Sequence, residues 1–319
     1  MKYFITGAAG FVGSRLSKSL LAQGHTVVGF DNLNDYYPVI NKENNLKELT
    51  SSPRFTFIKG DLRDEKQTRE AVVVSKPDAI AHLAAMAAVR YSVQHPLIYG
   101  HVNVQGTLNL LEGAKDAGVK NCVLASTGSV YGADTPTPFT ETAAASKPLA
   151  PYPASKKAME MFAHSFAHVY DLNISVLRFF NVYGPHGRPD MMPWQWSVAI
   201  QKGEPITLFN GGKMKRDWTY VDDIVRGFEL ALAKPHKFEI FNLGCSSPVE
   251  NLEFVQVIEN LLVKKAIIKE VPAPVSEPIV TWANVTKAKE LLGYEPKVKV
   301  AEGMKNFIEW MKKEGKLSC

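Results

Sequence analysis

The chain has 319 residues, 45% hydrophobic and 22% charged, with a formal net charge of +5. That length and balance suit a soluble globular protein with one large core or two modest ones, not a disordered chain. The basic residues are scattered, so no stripe suggests nucleic acid, and no apolar run reaches membrane-spanning length. In chain order, Tyr3-Phe4-Ile5 reads as a strand, and Val12, Leu16, Leu20 and Leu21 read as one face of a helix. Between them lies Gly7-Ala8-Ala9-Gly10-Phe11-Val12-Gly13. A strand, a tight glycine turn and a helix form the arrangement whose helix N-terminus holds a pyrophosphate. Gly7, Gly10, Phe11, Val12 and Gly13 are therefore candidate cofactor contacts. The first glycine permits the turn, the second lets phosphates approach, and the third lets helix and strand pack closely. A second strand, Thr26-Val27-Val28-Gly29-Phe30, ends at Asp31, with Asn32 beside it as a further candidate contact. A carboxylate at Asp31 can accept both hydroxyls of an adenosine ribose and repels a 2′-phosphate. The expectation is a dinucleotide site that prefers NAD to NADP.

Further strands at 54–59, 78–82, 121–125 and 174–179 alternate with helices at 64–74, 95–117 and 153–170. Such alternation predicts an α/β fold with a doubly wound parallel (Rossmann) sheet, whose ligands bind beyond the C-terminal strand ends. After Asn181 the pattern loosens. Pro and Gly cluster at 184–193, and shorter elements follow at 206–209, 222–233, 239–243, 251–262, 286–292 and 301–314. The expected division is an NAD-binding domain over 1–180 and a smaller α/β substrate lobe over 181–319, with segments near 217–243 free to return to the first domain.

Tyr152-Pro153-Ala154-Ser155-Lys156 places a phenol and an ammonium on one face of a helix. A free tyrosine, with a pKa of about 10, is too weakly acidic to act as a base at neutral pH. A nearby lysine charge and an oxidised nicotinamide ring would lower that value. Ser126-Thr127-Gly128-Ser129-Val130-Tyr131-Gly132 directly follows the strand at 121–125, so its hydroxyls emerge at the ligand edge of the sheet. A hydroxyl there can hydrogen-bond the alcohol oxygen being oxidised.

Taken in that order, these features resemble the extended short-chain dehydrogenase/reductase family over essentially the whole chain. The matching segments are TGAAGFVG (6–13), GDLRD (60–64), HLAA (82–85), NVQGT (103–107), STGSVYG (126–132), YPASK (152–156) and RFFNVYGP (178–185). The resemblance implies that Thr127, Tyr152 and Lys156 are the catalytic trio, with Ser126 beside them at the substrate. It also implies that Asp61 and Leu62 border the adenine, that Ala84 lies along the cofactor, and that Asn103 is structural.

DNLNDYYP (31–38), VRYS (89–92), GRPDM (187–191) and KMKRDWTYVDDIV (213–225) resemble nucleotide-sugar 4-epimerases that act on UDP-glucuronate. This resemblance implies a UDP-sugar substrate, with Arg216 on the UDP phosphates and Asn181 near the pyrophosphate. Glu277 would reach a uridine ribose hydroxyl. The fork of Arg188 can bind a uronate carboxylate through two hydrogen bonds, and Arg90 is a second candidate. Sugar-nucleotide 4,6-dehydratases carry Asp-Glu after the threonine, where this chain has Gly128-Ser129. UDP-glucuronate decarboxylases usually carry Glu at the position of Ser129. Epimerisation needs neither carboxylate. A UDP-glucose or N-acetylhexosamine 4-epimerase stays open as the main alternative. Ahead of a non-catalytic NAD-sensing regulator, Tyr152 and Lys156 argue for an enzyme. Two departures bear on the sugar: Met86 and Ala88 stand where relatives often show Gln and Gly, and Ser276-Glu277 stands in place of Gly-Asp.

Relatives commonly dimerise through two long helices, here 95–117 and 153–170, so a homodimer is expected. Three cysteines at 122, 245 and 319 have neither metal-ligand spacing nor a disulfide framework, and no metal is expected. The first strand begins at residue 2, too early for a signal peptide, and a cytoplasmic protein is expected.

Overall fold

Successive residues of a strand face opposite sides of the sheet, and here both sides are apolar. Tyr3 and Ile5 of β1 (Lys2–Thr6) enter one core cluster, whereas Phe4 enters a second with Val28, Phe30, Ile80 and Leu124. This computed structural model describes residues 1–317, so Cys319 lies outside the described residues. The strands β2 (Thr26–Asp31), β3 (Phe55–Lys59), β4 (Ala79–His82), β5 (Asn121–Thr127) and β6 (Asn173–Phe179) follow in the chain. Four short strands come next: β7 (Asn181–Tyr183), β8 (Pro205–Phe209), β9 (Lys215–Arg216) and β10 (Trp218–Tyr220). The chain then returns as β11 (Phe238–Leu243) beside β6. Among the described residues the central sheet has seven strands, in the order β11-β6-β5-β4-β1-β2-β3 and all parallel. The chain winds outward from β1 to β3 and then restarts at β4 on the other side of β1. That reversal opens a crevice at the C-terminal strand ends.

The first core cluster continues from the sheet into the second half of the chain, through Ile206, Leu208, Phe254, Met304 and Phe307. There β12 (Val249–Glu250) pairs with β9 and β13 (Ile267–Val271) pairs with β8. Trp218 packs on Phe254 with ring centroids 4.5 Å apart. No helix among the described residues is long and apolar enough to cross a membrane.

Two local features depart from the expected elements. The stretch 95–117 is helical but not uniform, because a π-helical segment, Gly100–Gln105, separates Pro96–Tyr99 from Gly106–Asp116. Asn103 sits within that segment. Its amide donates to Met86 O and Ser155 Oγ and accepts from Met86 N, each at 2.9 Å, clamping the loop after β4 to the Tyr152 helix. Extra residues of this kind are often found in helices at functional sites. The helix Val39–Thr50 was not legible, since its polar sequence buries only Lys42, Asn45, Leu46 and Leu49.

His82, at the end of β4, is held between the Thr6 and Thr107 hydroxyls at 2.7 and 2.9 Å. Burial first, then the Lys156 charge, lower its pKa to about 3. An unfolded histidine binds a proton near pH 6.5, so this group costs the fold stability as pH falls from about 6.5 toward 3. His82→Gln should remove one proton's share of that acid slope, about 1.4 kcal/mol per pH unit, as read by denaturant unfolding across the range.

Candidate active site

A cleft of about 800 Å³ opens where the strands end. At its cofactor end Gly7 has φ +70, and a Cβ there would lie 2.7 Å from Ala84 N. A Cβ on Gly13 would lie 2.1 Å from Gly7 O, which only glycine avoids. The helix Phe11–Ala22 that follows begins without a side-chain cap, leaving its first N–H groups toward the cleft. Asp31, at the end of β2, accepts from Ala9 N at 3.1 Å and from Leu33 N at 2.8 Å, so the turn and the strand end are locked together. Burial raises the Asp31 carboxyl against those N–H groups and the Lys42 charge. Asp61 sits beyond, paired with Arg63 and bonded to Asn32, and its carboxyl is pulled down to about 2, chiefly by Arg63. An uncapped helix start, a glycine turn without room for side chains and a buried strand-end carboxylate fit a dinucleotide. Gly13→Ala should therefore strip NAD from the purified protein, as measured by cofactor release on denaturation, and should lower the melting temperature.

The helix Pro151–Val169 starts with prolines in its first turn and carries Tyr152 and Lys156 into the cleft. Tyr152 packs edge-on against Tyr99, with centroids 6.0 Å apart. Burial raises its phenol, while the Thr127 hydroxyl and the Arg188 charge pull the other way. Lys156 directs its ammonium to the Ala125 carbonyl at 2.8 Å. Burial lowers the lysine to about 8, against the charge of Glu160. The charge biasing the phenol toward ionisation is thus Arg188, where the sequence pointed to Lys156. Thr127 accepts from Ser129 N at 3.1 Å and donates to Ser129 Oγ at 3.2 Å. Ser126 alternates to the other side of β5 and donates to Glu160 Oε1 at 2.6 Å. That hydroxyl was expected at the substrate. Strand alternation turns the hydroxyl to a buried carboxylate, while the residue still lines the cleft.

Arg188 is engaged by its near neighbour Asp190, through Nε to Oδ1 at 2.9 Å and Nη2 to Oδ2 at 2.5 Å. Tyr36 adds a hydrogen bond to Asp190 at 3.1 Å, and its ring lies under the Arg188 guanidinium. At the far end Glu277 bridges two arginines, Arg216 at 3.1 Å and the more exposed Arg90 at 2.8 Å. The strand bearing Arg216 is pinned next door. Buried Asp217 accepts from the N–H groups of Cys245, Ser246 and Ala283, and burial pushes its carboxyl up to about 6.

Every candidate lines this one cleft: the turn from Gly7 to Gly13, Asp31, Asn32, Asp61, Leu62, Ala84, Arg90, Ser126, Thr127, Tyr152, Lys156, Asn181, Arg188, Arg216 and Glu277. Tyr36, Tyr37, Lys42 and Asp190 line it as well and were not singled out from sequence. Asp190 carried the one available signal, an opposite charge two residues from Arg188 in a Pro/Gly loop.

Residues 3–244 match the model of the NAD dependent epimerase/dehydratase family. The chain belongs to that family. Within the family it is 42% identical over 311 residues to the UDP-glucuronate 4-epimerase of Thermodesulfobacterium geofontis, covering 97% of this chain and 96% of that one. It superposes with a TM-score of 0.92 on the UDP-glucuronic acid 4-epimerase of Bacillus cereus, solved with UDP-glucuronic acid and NAD, at 32% identity over 98% of this chain and 100% of the other. The UDP-glucose 4-epimerase of Thermotoga maritima, solved with UDP-glucose, gives 0.90 at 32% identity over 98% and 99%. The glycine turn, Asp31 and the Tyr152–Lys156 pair all fall inside the matched family segment.

Proposed function

We propose that the protein is an NAD-dependent UDP-sugar 4-epimerase that interconverts UDP-glucuronate and UDP-galacturonate through a 4-keto sugar, without loss of CO₂. The observation that carries this reading is the cleft wall at 127–129. Thr127 stands beside Tyr152, and Gly128 and Ser129 occupy the places where eliminating or decarboxylating relatives need carboxylates. The Gly7–Gly13 turn would hold the NAD pyrophosphate, Asp31 with Asn32 the adenosine ribose, Asp61 and Leu62 the adenine edge, and Ala84 the length of the cofactor. Bound there, NAD supplies a reversible hydride acceptor for sugar C4.

The chain's own groups do the rest. Tyr152 takes the proton of the C4 hydroxyl and returns it after the sugar has turned over. Thr127 hydrogen-bonds the same oxygen, and Lys156 holds the nicotinamide ribose and contributes positive charge. Arg216 and Asn181 anchor the diphosphate and Glu277 the uridine ribose, so the hexose can present either face while UDP stays fixed. Arg188 grips the C5 carboxylate through the part of its fork that Asp190 leaves, while Arg90, the second candidate, is held beside Arg216 by Glu277 at the uridine end. A 4-ketone beside a C5 carboxylate is a β-keto acid. Holding the carboxylate so that its C–C bond lies out of line with the carbonyl suppresses loss of CO₂.

One observation favours a neutral sugar: Asp190 already takes two donors of the Arg188 fork. Incubation of purified protein with UDP-glucuronate and, separately, UDP-glucose, without added NAD, decides between them by anion-exchange analysis and CO₂ detection. UDP-galacturonate without CO₂ is expected. Conversion of UDP-glucose alone would move the assignment to neutral sugars, and UDP-pentose with CO₂ would make the protein a decarboxylase.

In this reading residues 1–180 with the returning segment near 217–243 form the NAD-binding part, and the remainder forms the UDP-sugar lobe. The homodimer would use the helical stretches 95–117 and 153–170, which leave Leu97, Met161 and Phe162 exposed. Such a patch on a monomer is a contact surface in waiting. Met161→Glu with Phe162→Glu should convert a dimer to a monomer in light scattering, and a monomeric parent would end the dimer proposal.

A further inference from the structure

Glu160 lies one turn beyond Lys156 on the same helix, with 1% of its side chain exposed. Its Oε1 accepts from the Ser126 hydroxyl at 2.6 Å and from Arg178 Nε at 2.9 Å, and its Oε2 accepts from Arg178 Nη2 at 2.6 Å. Arg178, on β6, is equally buried and lies over the Tyr131 ring at 4.7 Å. Its Nη1 has no hydrogen-bond partner among the described residues. Taking two charges out of water is expensive, and apolar residues of the same volume often serve a core at least as well. This pair sits behind the last residues of β5. Lys156 holds that strand end from the same helix through the Ala125 carbonyl, Glu160 holds it through Ser126, and Thr127 projects to the Tyr152 side.

We propose that the buried Glu160–Arg178 pair is a positioning device for the reaction: it fixes the end of β5 against the Tyr152 helix, so that Thr127 meets Tyr152, and it sets a carboxylate one helical turn from Lys156. The proposal rests on the reading of Thr127, Tyr152 and Lys156 as the reacting trio. Around Lys156 the titratable and charged groups are Tyr152, Lys157 and Glu160 on its own helix, His82 at the end of β4, and Arg178 on β6 behind Glu160. Glu160 is the one whose charge supports the ammonium. Removing that charge lets Lys156 lose its proton at lower pH, and the ammonium that would hold the nicotinamide ribose is lost earlier as pH rises.

The test compares Glu160→Gln with the double variant Glu160→Gln/Arg178→Met in the full-length, NAD-loaded protein. The single variant strands a buried arginine and can fail to fold, whereas the double variant removes both charges and should melt near the parent temperature. In the single variant the Lys156 titration should fall by on the order of one pH unit, and in the double variant, which also removes the Arg178 cation behind Glu160, by a smaller but measurable amount. It is read by carbon NMR of lysine-labelled protein, with the signal assigned from Lys156→Arg. The alkaline limb of the kcat profile should move the same way, with kcat down on the order of tenfold and KM unchanged. Ser126→Ala, which leaves the ion pair intact, should lower kcat without moving the lysine titration. A folded double variant with the parent's lysine titration and kcat would overturn the proposal, since a purely structural pair predicts that outcome. The lysine titration needs no sugar, so a parent inactive on every UDP-sugar would defeat the activity reading alone and still leave the charge link to be judged.

Discussion

Tyr152→Phe should lower epimerisation by about 10²- to 10⁴-fold, the range for losing a general acid–base group, while the protein stays folded and keeps its cofactor. The ring is buried against Tyr99 and Met86, and phenylalanine keeps that packing. What disappears is the oxygen proposed to exchange a proton with the sugar. The check is kcat on UDP-glucuronate beside a thermal melt, and a variant retaining more than about a tenth of the parent rate would take the role from Tyr152. The pH dependence has a defined sign. Burial raises the phenol, so the phenolate base is scarce in acid, and activity should climb with pH along its acid limb. The Arg188 charge works against that rise, so neutralising position 188 should push the acid limb to higher pH.

Arg188→Ala should cost on the order of 100-fold in kcat/KM for UDP-glucuronate, the scale of one strong hydrogen bond to a charged group, and should cost UDP-glucose only what the shifted acid limb takes. CO₂ released per turnover should increase as the carboxylate loses its grip. Stability complicates this variant, because Asp190 loses a bidentate partner in a mostly buried site, with side-chain exposures of 17% and 25% for the pair. Arg188→Ala/Asp190→Ala removes the stranded carboxylate. That double variant should regain melting temperature without regaining the uronate preference, which separates a stability defect from a recognition defect. If uronate turnover and CO₂ release are both untouched, Arg188 has no part in carboxylate binding.

How much was legible in advance follows the range of the interactions. The parallel sheet was readable because a strand buried on both faces is an unbroken apolar run, as in Cys122-Val123-Leu124-Ala125. The helix Val39–Thr50 escaped because its apolar face is two leucines wide. The π-helical segment at Gly100–Gln105 escaped because its stabilisers, Met86 and Ser155, lie outside its own sequence.

From sequence alone came the features set by local backbone and spacing. The glycine turn admits no side chain, Asp31 closes the next strand, and Tyr152 and Lys156 share a helix face because four residues make about one turn. The tertiary structure decided the partners. Arg90 and Glu277 are 187 positions apart in the chain, and Ser126 and Glu160 are 34 apart. Nothing local selects one acid among the 32 Asp and Glu residues for a given base. Charged side chains are long, and their choice depends on which strand ends and helix faces the packed core brings together. That is why the sequence could name Ser126 as a site residue while only the fold directed it to Glu160, whereas Arg188 and Asp190, two residues apart, are a local pair.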